Sequence, residues 1–102
     1  KLSRSAKHLE SFVANVDSIQ KEGNDRALYK ERERLIYTRD RMKNDLLTYE
    51  TNLGFFSSTT KKGNNLVDEM NKKASKLRAE IKLIEKKIQV IEKSLLESSK
   101  EE

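Results

Sequence analysis

Apolar residues recur along the last third of the chain with alternating gaps of three and four positions. Such gaps place every apolar side chain on one stripe of an α-helix, in the heptad pattern of a coiled coil. The pattern predicts a helix over residues 65–98, in which Asn65 can cap free backbone N–H groups. The members of this packing stripe are Val67, Met70, Ala74, Leu77, Ile81, Ile84, Ile88, Ile91 and Leu95.

The middle segment repeats its apolar positions less regularly. Arg32 and Arg39 fall on the early part of its stripe, so each either reaches an acidic side chain on the third helix or faces a partner. We predict a helix over 25–53, capped by Asn24 or Asp25 and ended by Gly54 in a left-handed conformation. Its apolar positions are Leu28, Leu35, Met42, Leu46, Tyr49 and Leu53.

The N-terminal segment has the pattern of a shorter amphipathic helix over residues 3–21, closed by Gly23. Leu83 and Val90 lie outside the stripe of the last helix and offer it a packing surface. We therefore predict an all-α fold: a long antiparallel helical hairpin (a coiled coil) with a shorter N-terminal third helix. The apolar residues of the first helix are Leu9, Phe12, Val13, Val16 and Ile19.

Composition agrees with a single helical domain over residues 1–102. Charged residues make up 38% of the chain, and proline is absent, which favours long helices over sheets. Cysteine is also absent, which excludes disulfides and thiolate metal sites. No apolar run approaches the ~20 residues needed to span a bilayer. Because the sequence begins at Lys1, we expect it to be a segment of a longer protein.

The stretch NLGFFSSTTKKGNN joins the two long helical patterns and raises the question of a phosphate-binding loop. A P-loop needs two glycines with four residues between them, a lysine directly after the second and a strand before the first. Here eight residues separate the glycines, the lysines precede Gly63, and a helix comes before. We therefore predict a hairpin tip over residues 54–64, with Gly54, Phe55, Phe56 and Gly63 as its main residues. Phe56 either plugs the end of the bundle or contacts a partner.

Basic residues are concentrated in the third helix, although the whole chain carries a net charge of only +5. They form either a solvated flank of the coiled coil or a surface for an anionic partner, such as RNA or an anionic membrane. No aromatic residue that could stack on a base accompanies them. The residues are Lys72, Lys73, Lys76, Arg78, Lys82, Lys86 and Lys87.

Catalytic chemistry has little support in this sequence. His8 is the sole histidine, and no second histidine or cysteine is available to form a metal site or a nucleophilic triad with it. The carboxylates lie among lysines and arginines, which favour the ionised form. We predict no catalytic residues, no metal, no cofactor and no small-molecule substrate.

The segment from residue 49 to residue 56, Tyr-Glu-Thr-Asn-Leu-Gly-Phe-Phe, resembles the C-terminal coiled-coil part of bacterial proteins in the domain-of-unknown-function 349 family. The lysine-glycine run that follows and the helix containing IKLIEKKIQVIE belong to the same resemblance, which covers about two thirds of the chain. The tryptophan-containing repeats typical of the family are absent. The resemblance implies a cytoplasmic bacterial helical protein and supplies no catalytic residues.

These patterns favour a non-enzymatic helical scaffold or protein-interaction segment. Its partner is either another protein or a second copy of the chain, and no membrane is involved. The alternative is an RNA- or ribosome-associated module that uses the basic residues of the third helix.

Overall fold

The computed structural model describes residues 4–59 and 65–100. Within them the chain forms three α-helices: α1 (Arg4–Lys21), α2 (Asp25–Thr59) and α3 (Asn65–Lys100). No strand occurs in these two ranges, and the predicted all-α class is confirmed. The molecule is elongated, with extents of 61 × 31 × 16 Å. None of its three helices combines the length and the apolar character that crossing a membrane requires.

The turn between α1 and α2 forms as the sequence predicts. Gly23 has a φ of 73°, and its N–H donates to the carbonyl of Gln20 at 2.9 Å. The N–H of Asn24 donates to the carbonyl of Ile19 at 3.2 Å, which completes a Schellman motif. The Asn24 side chain then accepts from the N–H of Ala27 at 3.3 Å and so caps α2.

The predicted end of the second helix at Leu53 is wrong. α2 continues to Thr59, and Gly54 does not have a positive φ. Glycine permits a left-handed cap but does not require one, because inside a helix it costs only ~1 kcal/mol relative to alanine. Phe55, predicted as a residue of the hairpin tip, is instead a helical residue that is 63% exposed.

α2 and α3 pack along each other as an antiparallel hairpin. All nine stripe residues of α3 are covered to some degree: six are buried and three are half-buried. Among the described side chains, three ion pairs join the two helices. From one pair to the next, the residue number rises along α2 and falls along α3. The pairs are Arg32–Glu92 at 2.8 Å, Lys43–Glu85 at 3.3 Å and Glu50–Arg78 at 3.0 Å.

α1 packs mainly against α3 and less against α2. The side chain of Gln20 donates to the backbone carbonyl of Ser94 at 3.1 Å, which fixes the C-terminal end of α1 near that of α3. Val90, one of the two residues expected to receive α1, packs against the buried cluster, and Leu83 is half-buried. That cluster consists of Val16, Leu28, Leu35, Ile84, Ile88 and Ile91.

The hairpin therefore has two unlike halves. We call the end that contains α1 and this cluster the proximal half, and the end formed by the last part of α2 and the first part of α3 the distal half. In the described part of α2, no residue after Leu35 is buried, although Met70 and Ala74 of α3 are. Among the residues that the structure describes, the distal half is thus a pair of helices without a third.

Candidate functional site: a groove in the distal half

The two flanks of α3 face different helices. Arg78, Glu85 and Glu92 lie seven residues apart, and each pairs with a residue of α2. Lys87 and Ser94, also seven apart, both meet α1. Because a heptad repeat returns to the same side of the helix, two further steps back from Lys87 reach Glu80 and Lys73. These residues therefore continue the α1-facing flank into the distal half.

A groove lies between α2 and α3 on this flank. It has a volume of about 220 Å³. Two of its residues, Tyr49 of α2 and Leu77 of α3, are half-buried, so each presents apolar surface to the groove. We call it the distal groove; its lining residues are Asp45, Tyr49, Lys73, Lys76, Leu77 and Glu80.

The charges of the distal groove are segregated along its length. Lys73 and Lys76 come early in α3 and lie toward the distal end, whereas Glu80 lies toward the proximal end. Asp45 belongs with Glu80, because the ion pairs Lys43–Glu85 and Glu50–Arg78 bracket its position along the hairpin. The groove thus has a basic end, an apolar middle and an acidic end.

A second, larger groove runs along α1 and reaches Lys87 of α3, with a volume of about 580 Å³. It contains His8, Ser11 and Ser18, the residue types of a nucleophilic site, together with Ala14 and Asn15. Within the described ranges, no hydrogen bond joins His8 to either serine and no group of potential metal ligands forms. Its lining also includes Phe12 and Lys87, whose mutual contact belongs to the packing of α1 on α3.

Lys87 occupies the point where the three helices meet. Its ammonium lies 5.3 Å from the centre of the Phe12 ring, within the range of a cation–π contact. Burial lowers the pKa of Lys87, the nearby charge of Arg34 lowers it further, and Glu31 acts in the opposite direction. Lys87 is therefore part of the packing between helices.

The seven basic residues predicted as a possible anion-binding surface do not share one face. Arg78 bonds to Glu50 on α2, while Lys87 covers Phe12 on α1. Lys73 and Lys76 line the distal groove. The remaining three are exposed elsewhere on α3: Lys72, Lys82 and Lys86.

The predicted hairpin tip is only partly within the described residues. Gly54 and Phe55 belong to α2, as stated above, whereas Gly63 and the side chain of Phe56 lie outside what the structure describes, as does the capping predicted for Asn65. Phe55, Leu66 and Leu47 are the exposed large apolar residues nearest this end.

The two stripe arginines of α2 differ. Arg32 reaches Glu92 on α3, one of the two outcomes left open, whereas Arg39 bonds to its neighbour Asp40 at 3.2 Å. The sequence reasoning did not identify Asp45 or Tyr49 as site residues. The sequence contains no signal for them, because only the packing of α1 shows which flank of α3 is open.

In comparisons with known proteins, no family model, no curated protein and no solved structure matched this chain. The resemblance to domain-of-unknown-function 349 proteins, with the bacterial origin and cytoplasmic location that it implies, therefore stays a prediction.

Proposed function

We propose that this chain is a non-enzymatic helical interaction segment whose distal groove binds an amphipathic helix of a protein partner. The observation that carries the proposal is that α1 covers the proximal half of one hairpin flank, while the distal half of the same flank is an open groove. α1 shows which kind of element fits there, namely a helix with one apolar stripe.

The charges of the groove define the partner helix further. Its apolar residues would cover Tyr49 and Leu77, each leucine-sized side chain contributing about 1.5–3 kcal/mol if fully buried. Acidic residues would lie over Lys73 and Lys76, and basic residues would lie at the other end, near Glu80. Such complementary charges set orientation and exclude wrong partners more than they raise affinity.

A designed helical peptide tests this proposal. The peptide carries leucines at helical spacing, glutamates at one end and lysines at the other, and a fluorophore for anisotropy measurements. We expect saturable binding that Lys73→Glu/Lys76→Glu weakens at least tenfold, equivalent to ~1.4 kcal/mol. Lys82→Glu/Lys86→Glu is the matched control, because it makes the same charge change on exposed residues outside the groove.

Two results would contradict the proposal. One is an absence of saturable binding, and the other is an equal loss in both double variants, which would indicate general charge attraction. Light scattering provides a further test, of what occupies the groove. If the wild type is a dimer and Lys73→Glu/Lys76→Glu is a monomer, a second copy of the chain occupies the groove and not a different protein.

A further inference from the structure

Arginine is unevenly distributed in this protein. Five of its seven arginines lie between residues 26 and 41, in the first half of α2. Arginine binds phosphate through a planar fork of donors and also stacks on flat rings, which lysine does not do. The first half of α2 is therefore a stronger candidate for contact with nucleic acid than the lysine-rich α3.

Three of these five arginines already have carboxylate partners. Arg32 bonds to Glu92, Arg34 to Glu31 and Arg39 to Asp40. Arg26 and Arg41 form no ion pair in the described part of the chain, and neither does the nearby Lys30. All three are exposed, so their charges remain available to a phosphate.

These free basic residues share one side of the helix with two tyrosines. Successive steps of four, seven and four residues lead from Arg26 to Lys30, Tyr37 and Arg41, and such steps return to the same face. Tyr29 lies beside Arg26, three residues later. We call this set, Arg26, Tyr29, Lys30, Tyr37 and Arg41, the arginine–tyrosine face.

The tyrosine rings are open to solvent. Tyr29 is 56% exposed and Tyr37 is 67% exposed, and they lie ~12 Å apart along the helix at 1.5 Å per residue. Aromatic rings on a basic surface are the platforms on which single-stranded nucleic acids stack their bases. α3 contains no aromatic residue at all, so its lysines could contact phosphates only.

We propose that the arginine–tyrosine face binds single-stranded nucleic acid, a function beyond the helix-binding role of the distal groove. Arg26, Lys30 and Arg41 contact phosphates, while Tyr29 and Tyr37 stack on bases. Two acidic residues lie nearby. Asp40 is held by Arg39, and Glu33 lies between the tyrosines at four residues from each, where it repels phosphate.

Fluorescence anisotropy with a labelled oligouridine of about 15 nucleotides tests the proposal. With three phosphate contacts on a single strand, affinity should fall roughly tenfold to twentyfold when salt rises from about 50 to about 200 mM. Tyr29→Ala/Tyr37→Ala should weaken binding at least tenfold, since stacking contributes ~1–3 kcal/mol per base. Glu33→Gln should tighten it about twofold by removing one like charge.

Two triple variants provide the matched comparison. Arg26→Ala/Lys30→Ala/Arg41→Ala and Lys72→Ala/Lys82→Ala/Lys86→Ala each remove three exposed positive charges, the first from α2 and the second from a part of α3 outside the distal groove. We expect the first to abolish measurable binding and the second to change affinity less than twofold. Circular dichroism serves as the check that helix content is unchanged, as expected for exposed positions.

Three results would overturn the proposal. These are an absence of oligouridine binding by the wild-type chain, equal losses in the two triple variants, and unchanged affinity after loss of both tyrosines. None of them bears on the peptide-binding test of the distal groove, so the two proposals fail or survive separately.

Discussion

Arg32 on α2 and Glu92 on α3 meet across the hairpin through two hydrogen bonds. The Nε and Nη2 atoms of Arg32 both donate to one carboxylate oxygen of Glu92, at 2.9 and 2.8 Å. With Lys43–Glu85 and Glu50–Arg78, this contact marks the antiparallel alignment of α2 and α3.

Reversing these two charges tests the alignment. Arg32→Glu and Glu92→Arg should each lower the free energy of unfolding, and the double variant should recover most of the loss. Because both side chains are partly exposed, we expect a coupling of ~0.5–1 kcal/mol, measured by urea denaturation. Arg32→Glu with Glu97→Arg is the control. If that combination recovers as much stability, the specific contact does not set the alignment.

The two glycines in the described part of the chain should respond in opposite directions to alanine. Gly54 lies inside α2 with nothing near the position of an added Cβ, so Gly54→Ala should stabilise the protein by ~0.5–1 kcal/mol. Gly23 has a positive φ, so Gly23→Ala should destabilise it by ~1–2 kcal/mol. Thermal denaturation of both variants measures the difference. A destabilised Gly54→Ala would mean that α2 ends near Leu53 after all.

Ser94 is 4% exposed, and its hydroxyl has no hydrogen-bond partner. Replacing it with alanine removes a buried polar group and should raise stability by ~1–2 kcal/mol. Ser75→Ala is the control, because Ser75 is exposed on the same helix and reports the gain from helix propensity alone. Equal melting temperatures for the two variants would contradict the predicted cost of the buried hydroxyl.

Acid should weaken the contact between Glu31 and Arg34. The hydrogen bond from Arg34 lowers the pKa of Glu31 below its ordinary value, although burial opposes this shift. A lowered pKa in the folded state adds stability above the unfolded value, and this contribution is lost as pH falls through the folded pKa. We expect such a pair on a helix surface to add ~0.3–0.5 kcal/mol to the free energy of unfolding.

Denaturation of the wild type and of Glu31→Gln between neutral pH and about pH 3 measures this contribution. The two stability curves should converge as the pH falls below the pKa that the Glu31 carboxyl has in the unfolded state. Arg34→Gln should remove the same pH dependence. A constant separation between the curves would show that Glu31 contributes nothing through its charge.

Local signals in the sequence predicted much of the fold. The apolar stripe of α3 depends only on the spacing of residues such as Ile81, Ile84 and Ile88, and all three are buried. The turn after α1 was equally predictable from the sequence, because Gly23 can adopt a positive φ and Asn24 can cap α2 with its own side chain. Each of these features is decided within one or two helical turns.

The end of α2 was predicted incorrectly because the same residue type has two uses. Glycine at a helix end relieves a strained conformation, while glycine inside a helix costs only ~1 kcal/mol. A motif that contains Gly54 and Phe55 is compatible with a helix that ends there and with one that continues. Which of the two forms depends on whether the following residues keep their helical hydrogen bonds.

The sequence alone determined three helices, most of their bounds and the stripe that joins them, because helix periodicity is a property of neighbouring positions. Only the tertiary structure decided which flank of α3 meets which helix, and therefore that Lys73 and Glu80 line an open groove while Lys87 and Ser94 are covered. It also decided which arginines are paired with carboxylates and which are free. These outcomes depend on where α1 packs and where it stops, and residues far apart in the chain control both.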